Sequence, residues 1–202
     1  MKTLAVGELL RFGWESFKKR PWFFIGIVLL IVVISGIMEG FTPDPVQTFS
    51  DFVLAAIALV VGILLEMGLV AFALKAHADV EKVELRDLWH PQHLWQYAVV
   101  KILTGIIVVI GLVLLIVPGI IAALSLIFAT YLVIDKNLGP IEAMKESVRM
   151  TKGHRWQLFL LALSLIGINI LGALALMVGL LVTIPVSLLA VAHAYRKLSA
   201  AA

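Results

Sequence analysis

Two isolated polar side chains, Glu66 and Asn169, are the residues whose placement most suggests chemistry, because each stands alone in a long apolar run. A carboxylate in hydrocarbon is costly, and desolvation favours its protonated form, so Glu66 fits a proton-coupled or cation site. The bland alternative is a neutral acid bonded to a neighbouring helix or facing a wet cavity. Helical rise puts Glu66 ~13 Å from Lys75 and Asn169 ~20 Å from Trp156, measured from the same side of the layer. At depths within about 7 Å of each other, they would meet if the second and fifth spans pack together. Otherwise Asn169 is interhelical glue. His90 and His93, near Asp79, Glu84 and Asp87, are metal-ligand types. Pro91 breaks the spacing that would aim both rings at one ion, so no metal site is expected. There are no cysteines. Nothing resembles paired catalytic carboxylates, a Ser-His-Asp set or a phosphate-binding glycine loop. No catalytic residues and no cofactor are expected.

The second set of candidates is cationic. Lys18, Lys19 and Arg20 precede the first apolar run, and Lys145, Arg149, Lys152 and Arg155 gather in the stretch 135–159. Basic residues flanking membrane helices favour anionic lipid headgroups over nucleic acid. A protein partner or a second copy of the chain is the other candidate occupant of this rim.

The elements that would hold these residues follow from composition. The chain has 202 residues, 62% hydrophobic and 14% charged, against about 45–50% and about 25% in soluble domains. The expected class is an all-α polytopic membrane bundle, residues 1–202 forming one integral membrane domain. Residues 3–20 alternate at helical spacing, with Val6, Leu10, Trp14 and Phe17 on one face, and read as an interfacial amphipathic helix. The apolar run after Trp22 is too long for a cleavable signal. Spans are expected at about 23–38 and 52–74, separated by a polar loop with Pro43, Asp44 and Pro45. Residues 98–134 as one helix would run ~55 Å against a hydrocarbon core of ~30 Å, so they must fold back. Val117-Pro118-Gly119 is the expected turn, giving spans 98–116 and 120–134. By the same arithmetic 157–197 divides into 157–177 and 183–197. The small pairs Gly36/Gly40, Ala58/Gly62, Gly119/Ala123 and Ala175/Gly179 are candidates for close helix approach.

Six spans in three hairpins place all 16 Lys and Arg residues on one side. The positive-inside rule then puts both termini in the cytoplasm of a bacterial-type inner membrane. A second interfacial helix is expected at 139–152, capped by Asp135 or Asn137 and started by Pro140. Its membrane-facing stripe would be Ile141, Met144, Val148 and Thr151, with Glu142–Lys145 and Glu146–Arg149 pairs on the polar side.

The stretch 117–159 carries a recognisable pattern. Pro118-Gly119 is followed by Asp135, then Gly139, Pro140, Ala143 and Ser147, and closes on Thr151, Lys152, Gly153 and Trp156. It resembles the membrane domain of bacterial glycerophosphoryl diester phosphodiesterases and related six-span membrane protein families. The resemblance implies fold and topology. The phosphodiesterase chemistry belongs to a separate soluble domain for which this chain has no room, so it is not carried over.

The function these features favour is a non-enzymatic membrane module that binds lipid or a partner through its basic cytoplasmic rim. The alternative is a small transporter or channel for a lipid, peptide or ion using Glu66. An intramembrane enzyme comes third.

Overall fold

The computed structural model describes residues 4–42, 47–89 and 91–200. Lys2, the Pro43–Asp44–Pro45 loop and His90 lie outside them, and with His90 goes the reading of 90–93 as a histidine pair. The described residues form α-helices and two short 3-10 segments, with no strand among them. In order these are α1 (Val6–Lys19), α2 (Pro21–Phe41), α3 (Phe49–Ala78), α4 (Leu94–Leu114) and α5 (Ile116–Leu126). They continue with α6 (Ala129–Lys136), α7 (Pro140–Thr151), α8 (Arg155–Leu174) and α9 (Leu180–Ser199). Six stretches are long and apolar enough to cross a membrane: α2, α3, Leu85–Leu114, α5 with α6, α8 and α9. The chain is an all-α, multi-pass membrane protein.

The buried core is displaced toward one end of the bundle, the basic end that carries α1, α7 and the end of α9. Tyr97, Phe128, Tyr131, Leu132 and Tyr195 meet there, nearly or fully buried. The opposite, hairpin end leaves Leu114, Ile116 and Leu176 exposed, Leu176 by 88%. Side chains in hydrocarbon need no protein partner, whereas the basic end must exclude water to form a core.

Local sequence explains the helix starts. Pro21 and Pro140 open α2 and α7 at the position where a missing N–H costs nothing. Thr48 and Asp51 form a reciprocal capping box at the start of α3. The first long hairpin turns at Leu115, slightly before the expected Val117–Gly119. Pro118 therefore sits in the first turn of α5, and the turn is set by Gly119 lying against α4. A Cβ on Gly119 would meet Leu112 Cδ2 at 2.5 Å, and one on Gly111 would meet Gly119 Cα at 2.9 Å. The second hairpin turns at 175–179 rather than 177–183, with Leu176 and Met177 at positive φ. Gly172 and Gly179 touch there, as Gly111 and Gly119 do in the first. Of the expected small-residue approaches, those of Gly119 and Gly179 are real. Gly36, Gly40 and Gly62 have nothing within 4 Å of a would-be Cβ.

Helix α1 packs on α9 through Leu9, Gly13, Ser16 and Phe17, a stripe rotated from the expected one; Trp14 is 46% exposed. A Cβ on Gly13 would collide with the Val186 carbonyl, so only glycine lets α1 lie this close. Phe12 stacks on His193 at 4.1 Å, and His193 Nδ1 lies 2.8 Å from His77 Nε2 of α3. This histidine pair joins α1, α3 and α9.

Helix α7 departs from expectation at Thr151. Its fully buried residues are Ala143, Ser147 and Thr151, four apart on one face, while Ile141, 62% exposed, lies on the other. They pack on the break between α5 and α6. Breaking a helix orphans backbone groups that lipid cannot satisfy. Ser147 Oγ donates to the Ser125 carbonyl at 2.8 Å and accepts from the Phe128 N–H at 3.3 Å. Thr151 Oγ1 lies 2.7 Å from the Ser147 carbonyl and 3.3 Å from that of Ser125. Thr151 thus belongs to the buried stripe, not the membrane-facing one. Neither Asp135 nor Asn137 caps α7; its N-cap is Gly139. Asn137 is the left-handed residue ending α6. Asp135 instead accepts from the Tyr195 hydroxyl at 2.7 Å and pairs with Arg196 at 2.9 Å, tying α6 to α9.

Candidate functional site

The spacing that isolates Glu66 in sequence does not isolate it in space. Lys101, seven residues into α4, makes a direct ion pair with it. Asn169 is elsewhere: its Nδ2 donates to Leu165 O at 2.8 Å and to Ser187 Oγ of α9 at 3.0 Å. Ser187 in turn donates to the Thr183 carbonyl at 2.7 Å. The expected meeting of Glu66 and Asn169 does not occur. Each has found a partner on a neighbouring helix, and Asn169 is engaged as an α8–α9 link.

Two apolar grooves open between the helices at these positions. The first, about 750 Å³, runs between antiparallel α3 and α4, from Ala58 and Ile110 to the Glu66–Lys101 pair. The second, about 620 Å³, lies between α4, α5, α7 and the start of α8. Leu103, Ile107, Leu126, Ile141, Met144 and Val148 line it, and Lys145 and Arg155 stand at its edge. The stripe Ile141–Met144–Val148 is thus the wall of a groove. Helix α7 can present this wall because its opposite face is held by Ser147 and Thr151.

The rim cations fall into two groups. Arg20 is spent inside the protein: its Nη1 donates to the carbonyls of Val83 (2.9 Å), Glu81 (3.1 Å) and Val80 (3.3 Å). Its guanidinium also lies 4.1 Å from the Phe23 ring centroid. Arg149 is bidentate on Glu146 at 2.8 Å, and holds the Glu146 carboxyl below its usual range. Lys18 sits over Trp14 and is exposed, as are Lys19 and Lys152. The expected Glu142–Lys145 pair is not formed; Glu142 lies beside Gly139 at the start of α7, where the helix dipole favours an anion. Lys145 and Arg155 have no acidic partner among the described residues, and Arg155 Nε is buried without a hydrogen-bond acceptor. Lys145 and Arg155 are thus two cations beside one apolar groove. Among the described residues no group of three or more His, Asp or Glu is placed to hold a metal ion.

Sequence reasoning missed the Lys101 partner, because Lys101 read as part of the basic rim. It also missed His77–His193, 116 residues apart with no local signal. The i, i+4, i+8 recurrence of Ala143, Ser147 and Thr151 was the signal for the buried face of α7.

Among known proteins, the chain is similar to uncharacterised proteins of Mycobacterium tuberculosis and Mycobacterium bovis. In both species the identity is 25%, over 96% of this chain and 69% of the relative. No solved structure matches. A family model covers residues 95–202, from the start of α4 through α9, and so includes both long hairpins and the α7 joint. By that match the chain belongs to the family described as Protein of unknown function (DUF975).

Proposed function

We propose that the protein is a non-enzymatic membrane module that binds anionic lipid at the groove walled by α7. One observation carries this reading: Lys145 and Arg155, lacking acidic partners, border an apolar cavity of about 620 Å³. An acyl chain fills the apolar length, and a phosphate at its end meets both cations. Basic residues concentrated at one end support a cytoplasmic location for that end and for both termini, in a bacterial inner membrane. The pattern from Pro118 to Trp156 supports kinship in fold with the membrane domains of glycerophosphoryl diester phosphodiesterases, without their catalysis. Transport through a lone Glu66 is the weaker reading, since a carboxylate paired with Lys101 is not a free proton carrier.

The test is titration of the purified chain in neutral detergent with phosphatidylglycerol, read by native mass spectrometry. Each cation near a headgroup contributes about 1 kcal/mol. Lys145→Gln with Arg155→Gln should therefore weaken binding roughly 30-fold. Equal affinity in the double variant would sink the proposal.

A further inference from the structure

The α3–α4 groove is a different kind of place, and it shares no lining residue with the α7 groove. The helices are antiparallel and the Glu66–Lys101 pair anchors their register, so Gly62 and Gly105, each four residues further from the pair, line the groove at about one level. Both glycines face the groove, and a Cβ on either would have nothing within 4 Å. A glycine inside a helix costs roughly 0.5–1 kcal/mol relative to alanine. Where it permits close approach that cost is offset, as at Gly119. Gly62 and Gly105 permit no approach, and their effect is to keep open a channel about 12–14 Å long.

At the basic end of that channel stands the Glu66–Lys101 pair, each side chain about half exposed to the groove. A carboxylate offers two oxygens with about four acceptor positions, and an ammonium offers three donors. Their mutual contact uses a fraction of these, and hydrocarbon supplies nothing for the rest. Lys101 is six residues along α4 from the exposed Trp95, so ~9 Å below it, and its side chain leans back toward that level. The open charges thus lie just beneath an aromatic interface, where lipid headgroups reside.

From this geometry we infer that the α3–α4 groove is a binding site for a phospholipid with a primary-ammonium head, of the phosphatidylethanolamine type. The head's ammonium donates to Glu66, its phosphate accepts from Lys101, and an acyl chain lies along Gly62 and Gly105. Four charges then alternate in sign, and the donors and acceptors left open by the ion pair are used. Phosphatidylglycerol supplies only the anion. Phosphatidylcholine supplies a cation with no N–H to donate, so the ratio of ethanolamine to choline lipid affinity isolates the Glu66 contact.

The experiment titrates the full chain in neutral detergent with phosphatidylethanolamine, and separately with phosphatidylcholine, by native mass spectrometry. The ethanolamine lipid should bind roughly ten-fold tighter, the scale of one charge-assisted hydrogen bond. Glu66→Gln should bring the ratio to one. Gly62→Leu with Gly105→Leu fills space that holds no protein atoms, so the chain should fold, and the ratio should again fall to one. Lys145→Gln with Arg155→Gln should leave the ratio unchanged, which separates this site from the α7 groove. A wild-type ratio of one overturns the proposal, as does a ratio that survives either the Glu66 or the glycine variant. A doubled mass that the glycine variant dissolves also overturns it, assigning the groove to a second copy of the chain.

Discussion

The two grooves share helix α4 and an apolar lining, and they differ in the charge at their basic ends. Between α3 and α4, opposite charges face each other, Glu66 on Lys101. Beside α7, Lys145 and Arg155 stand without an acid, while their neighbour Arg149 is bound to Glu146. If both grooves hold lipid as proposed, their apolar linings do not tell one alkyl chain from another, and discrimination falls to the terminal charges, decided by single side chains on neighbouring helices. A sum over the basic rim would treat Arg20, Arg149, Lys145 and Arg155 alike, yet among the described residues only the last two lack a carbonyl or carboxylate partner.

Substitutions sort the grooves by what holds each open. The largest effect is expected at the hairpin that both depend on. Gly119→Leu forces a branched side chain into Leu112, which should cost about 3 kcal/mol and disturb both grooves through α4. Thermal unfolding followed by circular dichroism measures it, and an unshifted midpoint would contradict the glycine contact. Next comes Ser147→Ala, which removes the hydroxyl, strands the Phe128 N–H and leaves the Ser125 carbonyl only the longer Thr151 contact. A loss of about 2 kcal/mol is expected. Phosphatidylglycerol binding should fall while the ethanolamine-to-choline ratio holds; loss of both would erase the distinction between the grooves.

A smaller effect is expected for Lys145→Gln alone, about 1 kcal/mol or roughly five-fold in phosphatidylglycerol affinity, shrinking as salt is raised. Salt titration of the binding constant checks it. The smallest belongs to Arg149→Gln, whose partner is Glu146 rather than lipid; an exposed pair of this kind should leave the thermal midpoint and the lipid affinity unchanged. Because Arg149 lowers the Glu146 pKa, whatever the pair contributes is present above the ordinary glutamate range. It is lost as pH falls through the lowered value. A large lipid defect in Arg149→Gln would mean that the pair opens on binding.

Much of the fold was legible because hydropathy and length act on whole helices. Two apolar runs too long for one crossing had to fold back, and they do. Turn positions were less legible, since Val117 and Leu115, or Thr183 and Leu176, are equivalent to a hydropathy pattern. Contact between Gly111 and Gly119, or Gly172 and Gly179, selects the turn. One residue of the α7 stripe was misassigned: Thr151 read as continuing the face of Ile141, Met144 and Val148, whereas against a broken helix a hydroxyl is the side chain that burial requires. Among the site residues, the cations of 145–155 were legible as a group. Which of them are free depends on Glu146 and Glu142, whose rotamers no spacing rule decides. Lys101 was hidden by its proximity to the rim.

The break between α5 and α6 has a further consequence, in the order of synthesis. When residues 116–136 first enter the bilayer, the Ser125 carbonyl and the Phe128 N–H await hydroxyls not yet made. Those hydroxyls arrive 19 to 26 residues later, on α7. Until then the hairpin of α4 and α5 carries an unmet backbone, a state that favours either a straightened helix or a wet one. Emergence of residues 147–151 ends it. The joint between the long hairpins therefore supplies, only after the hairpin itself is made, the hydroxyls that satisfy its bend.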